Sequence, residues 1–412
     1  MVSMSIKPIA RYYNFFIITT IIISILLLAT TTAESNLKIR KRDYDKRFYY
    51  AIEVENDSIV TPKVLENLLD VKHEGIIGEL DNYHLFSSAK EDVVIGVDDT
   101  SNSNPLDKQL KEIRKRSMES SPMINKRSLE VVDGILTVDK QVLRKRHKRV
   151  PLPPKNNNLD ELDPEAIGIS LGISDPGITG KGVTAAIVDD GLDMDSEDLA
   201  DNFFAEGSYD FNDHTPLPKP RLLQDTHGTR CAGEIAAAKN SVCGIGVAPD
   251  AKIAGLRVLS SAISDVDEAE ALNYKFQMND IYSCSWGPPD DGKSAAGPKG
   301  VILKAIIKGI KHGRGGKGSL FVFAAGNGGL YEDNCNYDGY ANSIYTLTIG
   351  AVDRRHGVPY YAEKCSALLI STYSSGGGSY IYTTDVGSNK CTNLHGGTSA
   401  AAPLVTGALS LT

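Results

Sequence analysis

Three short strings, far apart in the chain, hold a carboxylate, an imidazole and a hydroxyl: AAIVDDG with Asp189, HGTRCAGE with His227, and GGTSAAAP with Ser399. Side chains of these types do nucleophilic acyl transfer. A hydroxyl is too weakly acidic to attack an amide unless a base takes its proton in the transition state. The base in turn needs a carboxylate that fixes its tautomer and stabilises its cation. Ser399 is the candidate nucleophile, His227 the base and Asp189 the orienting acid. Asn327, in AAGNGG, is the natural side-chain donor to an oxyanion.

Such groups need rigid elements to hold them. VTAAIV reads as a buried parallel strand that delivers Asp189 at its carboxyl end. His227 and Ser399 each open an apolar, Ala-rich segment, which puts both side chains at helix N-termini. Gly396 and Gly397 let the backbone pass close to a substrate. Further strands are expected at KIAGLRVL, IYSCSW, SLFVFAA, SIYTLTIGAV and ALLISTYS, with helices beginning near His227, Asp265, Pro298 and Thr398. This alternation indicates an α/β domain with a mainly parallel sheet, whose ligands bind beyond the carboxyl ends of its strands.

The 412 residues exceed one ordinary domain, and 41% hydrophobic content suffices for a sizeable core. Lys7 and Arg11 precede an apolar run from Phe15 to Ala29 and a Thr-rich stretch ending at Ala33, a pattern that reads as a secretory leader over 1–33. All six cysteines lie between Cys231 and Cys391, and a secreted chain permits disulfides. Residues 1–149 carry 24 Lys plus Arg against 21 Asp plus Glu, whereas residues 150–412 carry 20 against 31. An acidic domain after a basic segment suggests a cationic partner and argues against nucleic acid.

Residues 34–149 read as a small domain followed by a cleavable linker. RFYYAIEV and GELDNYHLFS are strand-like, VTPKVLENLLDV is helical with Pro62 in its first turn, and Asp98 to Ser121 is expected to be loose. Basic runs occur at Arg40 to Arg42, Arg114 to Arg116, Lys126 with Arg127, and Arg144 to Arg149. The last, RKRHKR, directly precedes VPLPP, whose prolines favour an extended chain. Cutting after Arg149 is the expectation, with residues 150–181 linking to a catalytic domain over 182–412.

From about Gly182 to Leu411 the chain resembles the kexin and furin group of subtilases. DDGLD, HGTRCAGE, IYSCSWGPPDDG, GNGG, CNYDGY and HGGTSAAAP carry the resemblance. It implies a subtilisin-like three-layer α/β domain preceded by a small α+β prodomain that inhibits it. The implied activity is that of a serine endopeptidase made as a zymogen, which processes proproteins after Lys-Arg or Arg-Arg in the secretory pathway, at the Golgi or outside the cell. Asp290 and Asp338 match the acids that pair with the basic residue before the scissile bond, beside a wall of Ser285, Trp286, Gly287 and Pro288. Asp190 and Asp225 match readers of the next residue upstream, and Glu268 one that reads a more distant basic side chain.

The resemblance also implies calcium. One site maps onto Asp198 and Asn240 with the carbonyls of Ala237, Val242 and Gly244, and a second onto Asp290, Asp333 and Glu363, all hard oxygen donors. Thr215 and Leu217 stand where a third site needs acids, so that site is expected to be absent. Cys243 with Cys391 and Cys335 with Cys365 match the family's two disulfides, and Cys231 its free thiol. Family members continue past the equivalent of Thr412 into a β-rich domain, so the sequence is expected to lack that support and any C-terminal anchor. Two competing readings are a truncated inactive binding protein and a broad degradative subtilase, against which the acidic pocket residues argue.

Overall fold

The run RFYYAIEV forms strand β1 (Arg47–Val54), and it is apolar along almost its whole length because both of its faces are covered. The computed structural model describes residues 39, 41–56, 59–90, 104–119, 130–151, 165–167 and 177–412; the expected leader and most of the expected linker lie outside them. β1 pairs antiparallel with β3 (Leu80–Ala89) and β4 (Ile135–Lys140), and β2 (Lys72–Ile77) closes the sheet in the order β2-β3-β1-β4. Phe48, Tyr50, Ile52 and Val54 share a core with Leu65 and Leu69 of helix Pro62–Leu69. That helix begins where Thr61 Oγ1 accepts the Val64 N–H and Pro62 fills the first turn.

The expectation of a loose stretch from Asp98 to Ser121 is corrected by a helix over Pro105–Glu119. Its sequence is mostly charged, but Leu106, Leu110 and Ile113 recur at helical spacing and pack onto the β1 core. Three apolar residues on one face suffice because the sheet supplies the rest of the contact.

β2 and β3 bring two imidazoles together. His73 Nε2 and His84 Nδ1 lie 3.2 Å apart, and the His73 ring tilts against Phe86 at 5.0 Å. Burial lowers the pKa of both rings, that of His84 to about 4, with His73 adding to the effect. Between the ordinary histidine value of about 6.5 and pH 4 the unfolded chain therefore binds protons that the folded sheet refuses. Stability rises with pH across that window and falls on acidification. With allowance for half-exposed rings, we expect this sheet to lose about 1 kcal/mol between pH 7 and pH 5. Amide hydrogen exchange of β1 and β3, corrected for intrinsic rates, checks this. Equal opening free energies at the two pH values, or an undiminished loss in His84→Leu, would count against it.

The remaining strands of the described residues form one sheet of seven, a pair and a set of three. In chain order come β5 (His147–Lys148), β6 (Glu165–Ile167), β7 (Thr184–Asp189), β8 (Tyr209–Asp210), β9 (Lys252–Arg257), β10 (Ile281–Cys284), β11 (Trp286–Gly287), β12 (Leu320–Ala324), β13 (Leu347–Val352), β14 (Leu368–Tyr373), β15 (Ser379–Thr384) and β16 (Cys391–His395). The large sheet runs β14-β13-β12-β10-β7-β9-β8, parallel throughout; the pair is β11-β5 and the set of three β16-β15-β6. The expected strands are all present, that of Asp189 at its read length one residue on and the others a little shorter, and the helix expected near Pro298 starts at Gly300. The chain builds from β7 toward β8 first and then crosses to β10 and beyond, so the order reverses beside β7. A crevice opens at the carboxyl ends there.

Alternation along β12 shows how the sheet is covered. Phe321 faces Gly309 of helix Gly300–Gly316, where a Cβ would come within 2.9 Å of the ring. Val322 and Ala324 face Ala401, Ala402 and Val405 of helix Thr398–Leu409. Ala185 and Ile187 of β7 pack on Ile235 and Ala236 of helix His227–Ala236. This is the three-layer α/β arrangement. Lys304, on helix Gly300–Gly316, donates to Glu53 at 3.2 Å, so the free face of the N-terminal sheet is covered by the helical layer.

Candidate active site

Asp189 ends β7, and its carboxylate holds His227 Nδ1 at 3.0 and 2.8 Å. The next residue, Asp190, caps the helix that His227 opens: it accepts the N–H groups of His227 at 3.0 Å and Gly228 at 2.8 Å. A carboxylate there satisfies orphan donors and complements the helix dipole. Burial and the neighbouring Asp189 nevertheless push Asp190 up, and Lys148 opposes them.

Ser399 lies in the first turn of helix Thr398–Leu409, behind Gly397 at φ +80°. A Cβ on Gly397 would lie 2.5 Å from the Arg149 carbonyl oxygen and 3.0 Å from Asn327 Nδ2, so glycine is needed for closeness as well as for its backbone angle. Pro403, one turn on, has no N–H to give the Ser399 carbonyl. That oxygen accepts instead from Ser285 Oγ at 3.0 Å and from the Cys231 thiol at 3.7 Å, which ties the Ser399 backbone to the residue after β10 and to the His227 helix. Ser399 Oγ donates to the Ser285 carbonyl at 3.2 Å, and His227 Nε2 is buried without a partner.

Asn327 is oriented by three contacts. Its Oδ1 accepts from Thr398 N at 2.9 Å and Thr398 Oγ1 at 3.0 Å, and its own N–H donates to Asp290 at 3.0 Å. With Oδ1 so engaged, Nδ2 points to the side of the Arg149 carbonyl, buried and unpartnered. An unsatisfied buried donor is costly unless something arrives to accept from it.

The basic run itself occupies the cleft. β5 pairs antiparallel with β11, Lys148 opposite Trp286 and His147 opposite Gly287. Arg149 N donates to the Ser285 carbonyl at 3.0 Å, and Arg144 and Ile263 exchange backbone bonds of 2.7 and 2.9 Å. Four basic side chains of the run each meet a separate acid. The Arg149 guanidinium, 1% exposed, contacts Asp290 and Asp338 and approaches Glu363 at 3.9 Å. Lys148 contacts Asp190 and donates to the Gln224 carbonyl at 3.1 Å. Arg146 donates to Glu268 at 2.7 Å and to Tyr340 Oη at 2.8 Å, while Tyr340 donates to Glu268. Arg144 reaches Asp265 at 3.1 Å. Burial raises Asp338, Glu268 and Glu363, the last to about 7, and the arginines opposite draw all three back.

One expected residue, Asp225, sits differently from its reading, and Trp286 lines the wall through its backbone alone. Asp225 does not touch Lys148; it accepts from Ser260 Oγ at 2.7 Å and from the N–H groups of Leu222 at 3.0 Å and Arg221 at 3.1 Å, beside Arg257. Burial pushes it up, but those bonds outweigh burial and hold it low. Trp286 gives the wall only its backbone, because its indole turns inward, donates to the Val188 carbonyl at 2.7 Å and packs on Phe323 and Tyr340. Gly287 does need to be glycine, since a methyl there would overlap the Arg149 guanidinium. Pro288 is buried in the same wall. Tyr340, Asp265 and the Gln224 carbonyl were not anticipated. CNYDGY contained the tyrosine, but nothing local marks a loop carbonyl.

The donor sets expected to hold a cation can be tested against these surroundings. Carboxylate oxygens of Asp290, Asp333 and Glu363 lie within 4.8 Å of one another, and Asp333 is fixed by the Gly292 N–H at 3.0 Å. Three converging carboxylates, one with its pKa near 7, suit a hard divalent ion. At the other set, Asp198 Oδ1 is buried without a partner and Asp198 bonds Thr384, which also fits; Asn240 Oδ1, however, accepts the Val242 N–H at 2.7 Å, and the Ala237 carbonyl accepts the Gly246 N–H at 2.9 Å. Val242 and Gly244 lie on the same loop. Cys243 is bonded to Cys391 and Cys335 to Cys365; Cys231 and Cys284 are free and buried.

Comparison with known proteins places this geometry. Residues 180–412 match the model of the subtilase family. The chain is 44% identical to kexin of Saccharomyces cerevisiae over 397 residues, covering 92% of this chain and 46% of that protein. It is 48% identical to the dibasic-processing endoprotease of Schizosaccharomyces pombe over 321 residues, covering 72% and 44%. The chain thus spans a little under half the length of these curated relatives. Among solved structures, the serine protease of Aeromonas sobria aligns with a TM-score of 0.51 at 25% identity, over 57% of this chain and 48% of that one.

Proposed function

Because the chain belongs to the subtilase family, we propose that it is a serine endopeptidase that cuts proproteins after paired basic residues, and that residues 34–149 are its inhibitory prosegment, released by a cut after Arg149. The observation that carries this reading is the run Arg144–Arg149 lying along β11, with Arg149, Lys148 and Arg146 each on separate buried acids. A cleft for neutral side chains has no use for four such carboxylates, since burying each without a counter-charge costs several kcal/mol.

The chemistry follows from the placement. Ser399 Oγ leaves the Ser285 carbonyl, gives its proton to His227 Nε2 and bonds the carbonyl carbon of Arg149. Asp189 holds the ring through Nδ1 and stabilises the imidazolium, without itself being protonated. The oxyanion takes the N–H of Asn327 Nδ2, the donor with no other partner. As the tetrahedral species collapses, the Arg149–Val150 bond breaks and His227 protonates the departing amine. Water then repeats the sequence on the acyl-enzyme.

Calcium is proposed at Asp290, Asp333 and Glu363, with a second site at Asp198, Asn240 and the carbonyls of Ala237, Val242 and Gly244. When bound, the ion supplies positive charge that lets the clustered carboxylates stay ionised. The expected leader and the kexin likeness support a secretory route. Among the described residues no helix is long and apolar enough to cross a membrane.

A fluorogenic series ending in Lys-Arg, Ala-Arg or Ala-Phe tests the specificity. We expect Lys-Arg to exceed Ala-Arg about tenfold, from loss of the Lys148-type contact to Asp190, and Ala-Phe to be turned over least. Equal kcat/KM for the three would leave the acid pockets without a role and overturn the reading.

A further inference from the structure

A second guanidinium is buried in an acidic pocket on another face of the helix that lines the cleft. Arg42, from the first basic run, contacts Asp267 through Nη1 and donates to Glu270 Oε2 at 2.8 Å through Nη2. Its side chain is 4% exposed and those of the two acids 5% and 4%, more buried than most ion pairs of the molecule. Both acids sit on helix Asp265–Leu272, one turn apart. The same short helix presents Asp265 and Glu268 to Arg144 and Arg146 in the cleft, so it serves two separate basic segments from different faces.

The pocket is built around that cation. Two carboxylates three residues apart repel on a helix surface, and buried together they need a positive charge between them. On the enzyme side His214 also approaches, its Nε2 3.7 Å from Asp267 while Nδ1 is buried without a partner. The second oxygen of Asp267 is already used, accepting from Ser264 N at 3.2 Å and Ser264 Oγ at 2.6 Å in the helix cap. A cavity of about 410 Å³ adjoins the site, lined by Arg42, Asp43, Asn212, His214 and Asp267. Behind Arg42 the chain is pinned by Asp43 N, which donates to Tyr49 Oη at 2.9 Å, and by the Tyr44 ring against Tyr49 at 4.8 Å.

We propose that Asp267 and Glu270 form a second guanidinium-binding site, outside the cleft, that takes Arg42 and keeps the prosegment on the enzyme domain after the chain is cut at Arg149. The proposal rests on reading residues 34–149 as a prosegment. Arg42 and Arg149 stand at opposite ends of that segment, with the sheet of β1 to β4 between them. Two anchors on one folded body act at high effective concentration, so that a cleft end that lets go rebinds before the other end does. Scission at Arg149 alone then leaves an inhibited complex, and release requires loss of both ends.

The test separates the anchor from the catalysis. In the full chain with Ser399→Ala, residues 154–159 are replaced by the recognition sequence of a foreign site-specific protease, the chain is cut there, and dissociation of the N-terminal piece is followed by gel filtration. The parent piece should stay bound. Arg42→Gln should speed its dissociation at least tenfold, Glu270→Gln should do the same, and the two together should add little. Exchange of the charges, Arg42→Glu with Glu270→Arg, should restore part of the retention. Immediate loss of the parent piece, or dissociation of Arg42→Gln within twofold of the parent, overturns the proposal. If Glu270→Gln does not fold, Arg42→Gln still decides, because it leaves the enzyme domain unaltered. The cut is foreign and Ser399 is absent, so failure of the anchor and failure of the protease reading give different results.

Discussion

In the full-length chain, Ser399→Ala is expected to leave the Arg149–Val150 bond intact under calcium-containing conditions in which the parent is cut there. The Arg149 carbonyl lies against Gly397 and Asn327 at the mouth of the Ser399 helix, so the run is already presented. What the variant lacks is the oxygen that bonds the carbonyl carbon. Removing a triad nucleophile lowers the rate on the order of 10⁶-fold, which converts a cut complete in an hour into one invisible in a month. Asn327→Ala should behave differently. It keeps nucleophile and base but removes the one unpartnered donor aimed at the oxyanion, a loss of roughly 3 kcal/mol or 10²- to 10³-fold in kcat, with KM little changed. Sequencing of the new amino terminus and a time course on denaturing gels decide both. Cleavage of Ser399→Ala at the parent rate would mean that another protease makes the cut.

The second large effect concerns which acid matters most. Asp338→Asn should lower kcat/KM for substrates with Arg before the scissile bond by about 100-fold, near 3 kcal/mol. It leaves a guanidinium buried against one fewer charge in a pocket closed by Gly287 and Asp290. Asp265→Asn should cost no more than about threefold, because its partner Arg144 is 52% exposed and pairs of that kind contribute about 0 to 1 kcal/mol. Glu268→Gln falls between, since Tyr340 Oη still accepts from the arginine. The order Asp338, Glu268, Asp265 is the content of the prediction. Equal losses at all three, measured on one hexapeptide series, would show that the cleft senses total charge and not separate pockets.

How far these features could be read from residues alone depends on whether a residue acts through its neighbours in sequence. VTAAIV, IYSCSW and SLFVFAA announce buried strands because the sheet is covered on both faces, and the groups that follow them, Asp189, Ser285 and Asn327, inherit their positions from strand ends. The helix Pro105–Glu119 was hidden because its stability lies in three apolar contacts with a distant sheet. Asp225, matched by resemblance to a reader of the second basic residue, does not contact Lys148 for a related reason: Arg257 arrives from β9 and takes its carboxylate. Trp286 belongs to the wall as read, and the structure adds that it serves there through its backbone while the indole packs inward. The Arg42 pair joins residues 225 positions apart and has no local signature at all.

Asp190 carries a consequence for any attempt to alter this cleft. It receives Lys148 on one side and caps the helix that begins with His227 on the other. The side chain that meets Lys148 is therefore also part of the frame that holds the His227 ring. A redesign that admits a neutral residue by removing the carboxylate frays the helix start, at about 1 kcal/mol, and lets the imidazole drift. On the proposed function, selectivity for the second basic residue would then be shielded from gradual change, with variants that relax it expected to lose turnover before they gain new substrates.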